Sequence, residues 1–513
     1  VSGLRVISRT SAMQYKEDRP SLRQVGEELG VDYVLEGTVR WAESEGGSRV
    51  RITPQLIQVS DDTHLWADTY DQVIDDIFEI QSDIAGEVIR ALGVTLQGDE
   101  QAALEERPTD SIEAYQAYLR ALELGQSLSG WRESDQQIVD QLKLAVELDP
   151  GFVEAWARLS GHHSTWYADF DRTEERARRA KEALEGAQRA DADSPSTRVA
   201  RVLFNYCVLQ ETEQALYELE ALAERNRNDS QVLLRLAAFY RVQGRVDEWR
   251  SIAETLTELD PYNHLSWTSL AWNYRAMRWS EETLATYDRI IELGPTLDGG
   301  YLGKAEALRS LTGDLKAARS VLQHAPGNDA RAVTLGWITQ YFWERSWDNV
   351  IELSHSIPTD SPLGLDAAVW RAAAMYYRDG IGTARPEIEE ALGTIAADLE
   401  ASPDISWLHL NSAWLHSSLG EDEAALRETE IALKLAEETY GAGSRAVVEG
   451  DVAAIYGILG REDQALDTLE RLLGSHYEGA ITVHQLQHIA DWDPLRDHPR
   501  FQALLEKSGQ EGR

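Results

Sequence analysis

The sequence predicts a mostly α-helical protein, a right-handed α-solenoid of helix hairpins preceded by a small α/β sandwich domain. Three observations carry that expectation. Strand-like alternation of apolar and polar residues is confined to the first hundred of the 513 positions. From about residue 110 onward, apolar and alanine residues recur at helical spacing instead. Breaks, most of them bearing Pro or Gly, punctuate that helical stretch at a nearly constant interval. The expected division is an α/β domain over 1–98, a linker over 99–112, a repeat array over 113–478 and a capping segment over 479–513.

In chain order, Leu4 to Ser8 is a short β-like run. Ser21 to Leu29 reads as a helix: Ser21 caps it, Leu22, Val25 and Leu29 share a face, and Gly30 stops it. Asp32 to Trp41 is rich in Val, Tyr, Leu and Thr and predicts a strand. Glu45-Gly46-Gly47-Ser48 supplies a hairpin turn, and Val50 to Val59 the return strand. After the turn Ser60 to Thr63, His64-Leu65-Trp66-Ala67 begins another strand. Ile74 to Leu92 predicts a helix with its apolar stripe at Ile77, Ile80, Ile84, Val88 and Leu92.

The segments LRVISRTSAMQYK, LGVDYVLEGTVR, VRITPQLIQVSDDTHLWADTYD and IFEIQSDIAGEVI resemble a bacterial domain similar to the TolB amino-terminal domain. That family precedes tetratricopeptide repeats in adenylate/guanylate cyclases, Ser/Thr kinases and winged-helix regulators. The resemblance implies a further strand and helix ahead of this stretch, which leaves the domain incomplete here with an unpaired sheet edge. It also implies an effector domain and often a membrane helix upstream of Val1. It places the chain on either side of the inner membrane, in the bacterial cytoplasm or on the periplasmic side.

The helical stretch breaks at Asp149-Pro150, Ser194-Pro195, Asn228-Asp229, Asp260-Pro261, Gly294-Pro295, Pro326-Gly327, Ser361-Pro362 and Ser402-Pro403. Most intervals lie near the ~34 residues of a tetratricopeptide repeat. Within Ser230–Pro261, the residues Leu233, Leu236, Ala237, Tyr240 and Gly244 fall where that repeat wants large, large, small, aromatic and turn. Trp267, Leu270, Ala271 and Tyr274 repeat the pattern, and Ala453, Tyr456, Gly460 and Ala465 repeat it again later. Eight or nine units are expected, with the registers of 331–445 the least regular. No single hairpin buries its apolar face alone, so stability accumulates along the stack. Asp493-Pro494-Leu495-Arg496 with Pro499-Arg500-Phe501 resembles the motif that closes such arrays, and its expected job is to cover the last apolar face.

Composition narrows the function. Against 49 Lys and Arg stand 88 Asp and Glu, a net charge of −39. That balance argues against nucleic acid, whose phosphates demand basic residues, and no stretch approaches the ~18 apolar residues of a membrane helix. The single Cys207 sits in an apolar run and reads as a buried thiol; one cysteine makes neither a disulfide nor a thiolate metal cage. Gly303-Lys304 fails as a phosphate loop, with Asp298 and Ala305 at the two decisive positions. Gly299, Gly300 and Gly303 read as packing or turn residues. His484 and His488 share a helical spacing but lack the intervening Glu of a metalloprotease, and read as a surface pair. The expectation is a non-catalytic protein without metal or cofactor.

The remaining signal is aromatic. Sixteen tryptophans exceed what the repeat requires. Helix A of each unit lines the concave face, and its inner positions place Arg241, Trp272, Arg275, Phe342, Trp343, Trp370, Tyr377, Arg378, Trp407 and Trp414 there. Two readings follow. The rings pack between helices, or they form a groove with guanidinium anchors that takes a protein or peptide ligand through a carboxylate. The functional expectation is a peptide-binding regulatory scaffold in a signalling protein. The alternative is a structural or assembly subunit of an envelope or other multiprotein complex. The sequence says nothing of oligomeric state.

Overall fold

A computed structural model describes Leu4, 6–7, 11–12, Tyr15, 20–44, 47–73, 77–96, 107–126, 131–169, 171–357, 364–440, 442–476 and 481–511. The first helix, α1 (Leu22–Leu29), begins where Ser21 Oγ accepts from the Gln24 amide and ends at Gly30 in the left-handed region. Strands β1 (Tyr33–Ser44) and β2 (Gly47–Gln58) form a long antiparallel hairpin. β3 (Thr63–Ala67) and β4 (Tyr70–Val73) then pair in succession with the other side of β2. The break between them falls opposite Pro54, which has no N–H to offer the ladder; the Asp68 amide donates to the Pro54 carbonyl there. The sequence reading stopped at β3 and missed β4 for this reason.

Helix α2 (Ile77–Ala91) packs on β3 and β4, with Ile80 fully buried. Among the described residues β1 is an edge strand, and its Tyr33, Leu35 and Val39 are exposed. Of the expected run from Leu4 to Ser8, Arg5 and Ser8 lie outside the described residues, and Leu4, Val6 and Ile7 are in no regular element.

From residue 112 the described chain is helical. The helices are α3 (Ile112–Gln126), α4 (Trp131–Leu148), α5 (Val153–Asp169), α6 (Glu174–Asp191), α7 (Pro195–Cys207), α8 (Thr212–Arg225), α9 (Ser230–Val242) and α10 (Val246–Leu259). Next come α11 (His264–Ala276), α12 (Ser280–Leu293), α13 (Asp298–Ala307) with a π-helical turn at Leu308–Thr312, α14 (Leu315–Leu322), α15 (Ala330–Trp343) and α16 (Trp347–His355). The last are α17 (Gly364–Asp379), α18 (Ile381–Ala401), α19 (Ser406–Leu419), α20 (Asp422–Tyr440), α21 (Ala442–Ile458), α22 (Glu462–Leu473), α23 (Val483–His488), a 3₁₀ turn at Ala490–Leu495, and α24 (Pro499–Glu511).

Helices α3 to α22 pack as ten successive pairs, against the eight or nine units expected. This is a right-handed α-solenoid of tetratricopeptide-like hairpins behind a small α/β unit. The irregular stretches 331–365 and 366–405, where periodicity is weakest, are the pairs α15/α16 and α17/α18. The N-terminal unit meets the array at the α10–α11 loop. Ser11 bonds Asp260 and accepts from the Tyr262 amide, and Tyr262 donates to Glu28 of α1 at 3.1 Å.

The turn inside each pair imposes one constraint. Eight of these turns carry a residue with positive φ: Gln210, Gly244, Arg278, Gly313, Arg345, Gly380, Gly420 and Gly460. Five are glycine, which adopts this conformation freely. Arg278 (φ 59°) and Arg345 (φ 57°) adopt it at a cost of about 1–2 kcal/mol each.

Small residues set the spacing within and between pairs. A Cβ added at Gly303 of α13 would lie 2.2 Å from the Tyr287 ring of α12, which accounts for that glycine by packing. Cys207 is buried in the core between the neighbouring helices. Ala271 on α11 is fully buried in a cluster with Tyr287, Ile290 and Ala307. Ala271→Trp therefore overpacks the junction and costs about 1–3 kcal/mol or more, read as a lower midpoint in urea unfolding. An unchanged midpoint would contradict this packing.

Candidate functional site

The residues singled out in the sequence lie on the first helices of their pairs, and they separate into groups. Phe342, Trp370, Tyr377 and Trp414 converge from α15, α17 and α19. The Phe342 and Trp370 rings meet edge-on at 4.7 Å between centroids, and Tyr377 lies 6.3 Å from Trp414. Trp347 and Tyr376 complete the cluster; sequence spacing did not select them. Phe342 and Trp343 are buried. Trp347 of α16 and Trp370 and Tyr377 of α17 close over Phe342, and His488 of the C-terminal segment lies against Trp343, so neither is an open groove wall.

The other selected residues stand apart. Arg241 lies over the Trp272 ring at 5.2 Å, a cation–π contact inside the array. Arg275 is half-buried in the last turn of α11. Arg378 pairs with Asp348 and Asp379. Trp407 packs half-buried in the apolar cluster of α17, α18 and α19.

The C-terminal segment packs against the turns inside the pairs and the ends of these first helices. It covers the last apolar face as expected, with Trp492, Leu495, Phe501 and Leu504 packed on α21 and α22. It then does something the sequence did not announce, running back along the turns of the fifth, sixth and seventh pairs. The Arg278 guanidinium donates to the carbonyls of Leu473, Leu472 and Ile481. Gly313 meets His484, whose Nδ1 would lie 2.7 Å from any Cβ placed there. Arg345 clasps Asp493 with two hydrogen bonds, at 2.8 and 2.7 Å, and reaches the His488 carbonyl at 3.3 Å. The His488 ring sits 6.0 Å from that of Trp343. His484 and His488 are thus half-buried docking residues, which corrects their reading as a surface pair.

Beyond this row, Asp491 reaches the aromatic cluster. Its Oδ1 accepts from the Tyr377 hydroxyl and from Trp414 Nε1, the latter at 3.0 Å. Burial pushes the Asp491 carboxyl up, and the two donors oppose that only in part. The Tyr377 hydroxyl is pushed well up by the same burial and by the adjacent carboxylate. Asp451, on α21, is exposed over part of its surface, with its carboxyl crowded by the neighbouring chain. Desolvation and the Asp491 charge push its carboxyl up to about 7. Asp493 shifts the other way, because Arg345 and Arg496 outweigh its desolvation. The seam stays open at one point, a cleft of about 430 Å³ lined by Leu315, Trp343, Glu344, Arg345, Gln487, His488 and Arg496.

A second polar cluster lies between α4, α5 and α6. His162 Nε2 is 2.7 Å from Asp135, and Arg176 bridges Asp135, Asp171 and His163. Burial beside the Arg176 charge pushes His163 down to about 3, so it stays neutral. Among the described residues no group of His, Cys, Asp and Glu is arranged to hold a metal ion. Nor is any described helix long and apolar enough to cross a membrane.

Comparison with known proteins gives one sequence relative and several likenesses of shape. No family model matches the chain. A stretch of 160 residues is 38% identical to a putative adenylate cyclase 3 of Rhizobium meliloti (strain 1021), covering 31% of this chain and 26% of that protein. Human IFIT1 with m7Gppp-AAAA covers 69% of the chain at 15% identity and a TM-score of 0.38. A tetratricopeptide repeat protein from Parabacteroides merdae covers 52% at 13% identity and 0.36. YrrB, a TPR protein with an unusual peptide-binding site, covers 39% at 20% identity and 0.22. At these scores nothing about this chain's ligand follows from them.

The raised carboxyls make stability depend on pH in a definite direction. A carboxyl whose pKa is higher in the folded chain binds its proton more tightly there, so it favours folding at low pH. Its contribution fades as pH rises from the ordinary carboxylate range near ~4 toward about 7. Asp451→Asn removes the charge that is unfavourable above that window. It should stabilise the chain at pH 8 by on the order of 1 kcal/mol, a figure discounted for the water the side chain still touches, and leave it unchanged at pH 4. Thermal unfolding at the two pH values checks this; equal shifts at both would contradict it.

Proposed function

We propose that the chain is a non-catalytic, peptide- or protein-binding regulatory segment of a bacterial signalling protein. One observation carries the reading. The turns and first-helix ends of the array already hold a returning stretch of polypeptide, a short helix and a 3₁₀ turn, through Arg278 on the Ile481 carbonyl and through Arg345, Tyr377 and Trp414 on carboxylates. A face that binds a peptide by side-chain hydrogen bonds to its backbone and acids has the chemistry of a peptide receptor. The signalling context is supported by the 38% identity with a putative adenylate cyclase over 160 residues. The resemblance of the α/β unit to the TolB amino-terminal domain supports it too. On this reading the effector chemistry, of the cyclase, kinase or winged-helix kind, belongs to parts of the protein outside these residues.

Two measurements test it. A photo-crosslinking residue placed at Trp272 or Trp407 in cells should capture a protein partner. The purified partner should then lose ~2 kcal/mol or more of binding free energy on Trp272→Ala or Arg275→Ala if either is a hot spot. Well-folded variants that bind as tightly as the parent would overturn the inner face as the binding surface. The purified chain should also turn over neither ATP nor GTP. Turnover above a blank that a single substitution within the chain abolishes would contradict the non-catalytic reading.

A further inference from the structure

Both arginines in left-handed turns use their guanidinium groups on the returning end of the chain: Arg278 on the end of α22 and on Ile481, Arg345 on His488 and Asp493. Arg278 stands one repeat period after Gly244, at the position glycine fills in five of the eight turns. A non-glycine residue in this conformation marks a place where the surrounding structure overrides local cost. What offsets the cost here is legible: three carbonyls on Arg278, and a carboxylate with a carbonyl on Arg345. The turn between them is Gly313, where a side chain would collide with His484. The turns at Gly313 and Arg345 therefore meet the segment itself, and the turn at Arg278 meets its junction with α22.

The seat is specific for acids. Asp491 and Asp493 are two residues apart, and each has its own donors on the array: Tyr377 and Trp414 for the first, Arg345 for the second. Arg496, the other partner of Asp493, belongs to the segment itself and leaves with it. The seat is also imperfectly filled. The Arg345–Asp493 pair is about 40% exposed on both sides, and an open cleft of about 430 Å³ runs beside it. The groups around Asp491 are Tyr376 and Tyr377 of α17, Trp414 of α19, Asp451 of α21, and Asp493 of its own turn. Arg345 is committed to Asp493. A carboxylate set against a second one, without a cation of its own, is a weak lock.

We propose that residues 481–498 are a built-in, displaceable occupant of the array's inner face, standing in for a partner peptide that carries two acidic residues at i and i+2. The partner's carboxylates take the places of Asp491 and Asp493 on Tyr377, Trp414 and Arg345. The segment then leaves the turns at Gly313 and Arg345 and takes Leu486, Trp492 and Leu495 out of the core they share with α21 and α22, so the partner peptide also covers that apolar face, while α24 stays packed on α22. This inference rests on the peptide-binding reading above and adds the chemistry of the ligand and the state of the free site.

The test uses the full 513-residue chain and a synthetic peptide of residues 484–497 labelled with fluorescein. Asp491→Asn with Asp493→Asn in the chain should release the segment. Amide hydrogen exchange over 483–495 should then rise at least ~10-fold with helical circular dichroism retained. The peptide should bind this chain at least ~10-fold more tightly than it binds the parent, whose seat is filled. Adding Arg345→Gln should abolish binding, and a peptide with Asn at both acidic positions should not bind. Unchanged exchange in the doubly substituted chain would overturn the proposal, showing the segment to be a permanent cap. So would a released segment with no peptide binding, or a dimer formed by exchange of segments between two copies. Should the doubly substituted chain lose helicity, excess peptide added to the parent must accelerate exchange over 483–495, and its failure to do so overturns the proposal equally. Loss of the peptide effect with partner crosslinks at Trp272 or Trp407 intact would refute this inference and leave the scaffold reading standing.

Discussion

Arg278 and Arg345 sit in backbone conformations that their neighbours in the repeat leave to glycine, and the closed form of the molecule depends on them. A solenoid is quasi-one-dimensional: each hairpin touches the next, and nothing in the repeat obliges the tenth to meet the fifth. Here α9 contacts α21, and the end of α22 lies on Arg278. The array is turned back on itself, and charged side chains in two turns fasten it. Each conformation costs about 1–2 kcal/mol. A hydrogen bond to a charged group returns roughly 1.5–3 kcal/mol when it is well formed and partly dry. Burial of Leu486, Trp492 and Leu495 against α21 and α22 adds to these bonds, so the clasps are one part of what holds the segment.

Closure also explains where the aromatic residues lie. Aromatic side chains at helical spacing are ambiguous between core and groove, and the structure shows both outcomes in adjacent residues. Phe342 is core to its own hairpins. Trp343 becomes core only because His488 is placed against it. Tyr377 and Trp414 keep their polar atoms turned to a carboxylate that arrives from 77 or more residues away. An acidic chain of net charge −39 thus holds an acidic segment of its own. The long-range field is screened beyond a Debye length of ~8 Å, whereas Arg345 acts at contact.

Much of the fold was legible in the sequence because it is locally encoded. Ser21 and Gly30 bound α1, the β-rich runs of 32–41 and 50–59 give the first hairpin, and Pro-bearing breaks mark most pairs. The misses have physical causes. β4 escaped because Pro54 interrupts the ladder and leaves a strand of four residues. The tenth pair escaped because the junction between α20 (ending at Tyr440) and α21 (starting at Ala442) carries no proline to mark it. The site was legible in part. Helix-A spacing selected Tyr377 and Trp414, but not the acids they bind, since contacts across 114 and 77 residues leave no local pattern. One signal was available: aligning the turns by period from Gly244 puts Arg278 where glycine is expected, and a residue that breaks a local rule marks a place where another interaction compensates.

The most direct measurement of this account is small-angle X-ray scattering of the chain with Arg278→Gly and Arg345→Gly together. Glycine relieves the backbone strain at both turns and deletes both clasps, so the two effects push in opposite directions. If the clasps close the array, the radius of gyration increases and the interior distances lengthen, while helical content is unchanged. A chain that stays as compact as the parent and unfolds at a higher temperature would show that only strain was removed, and that closure depends on something other than these two arginines.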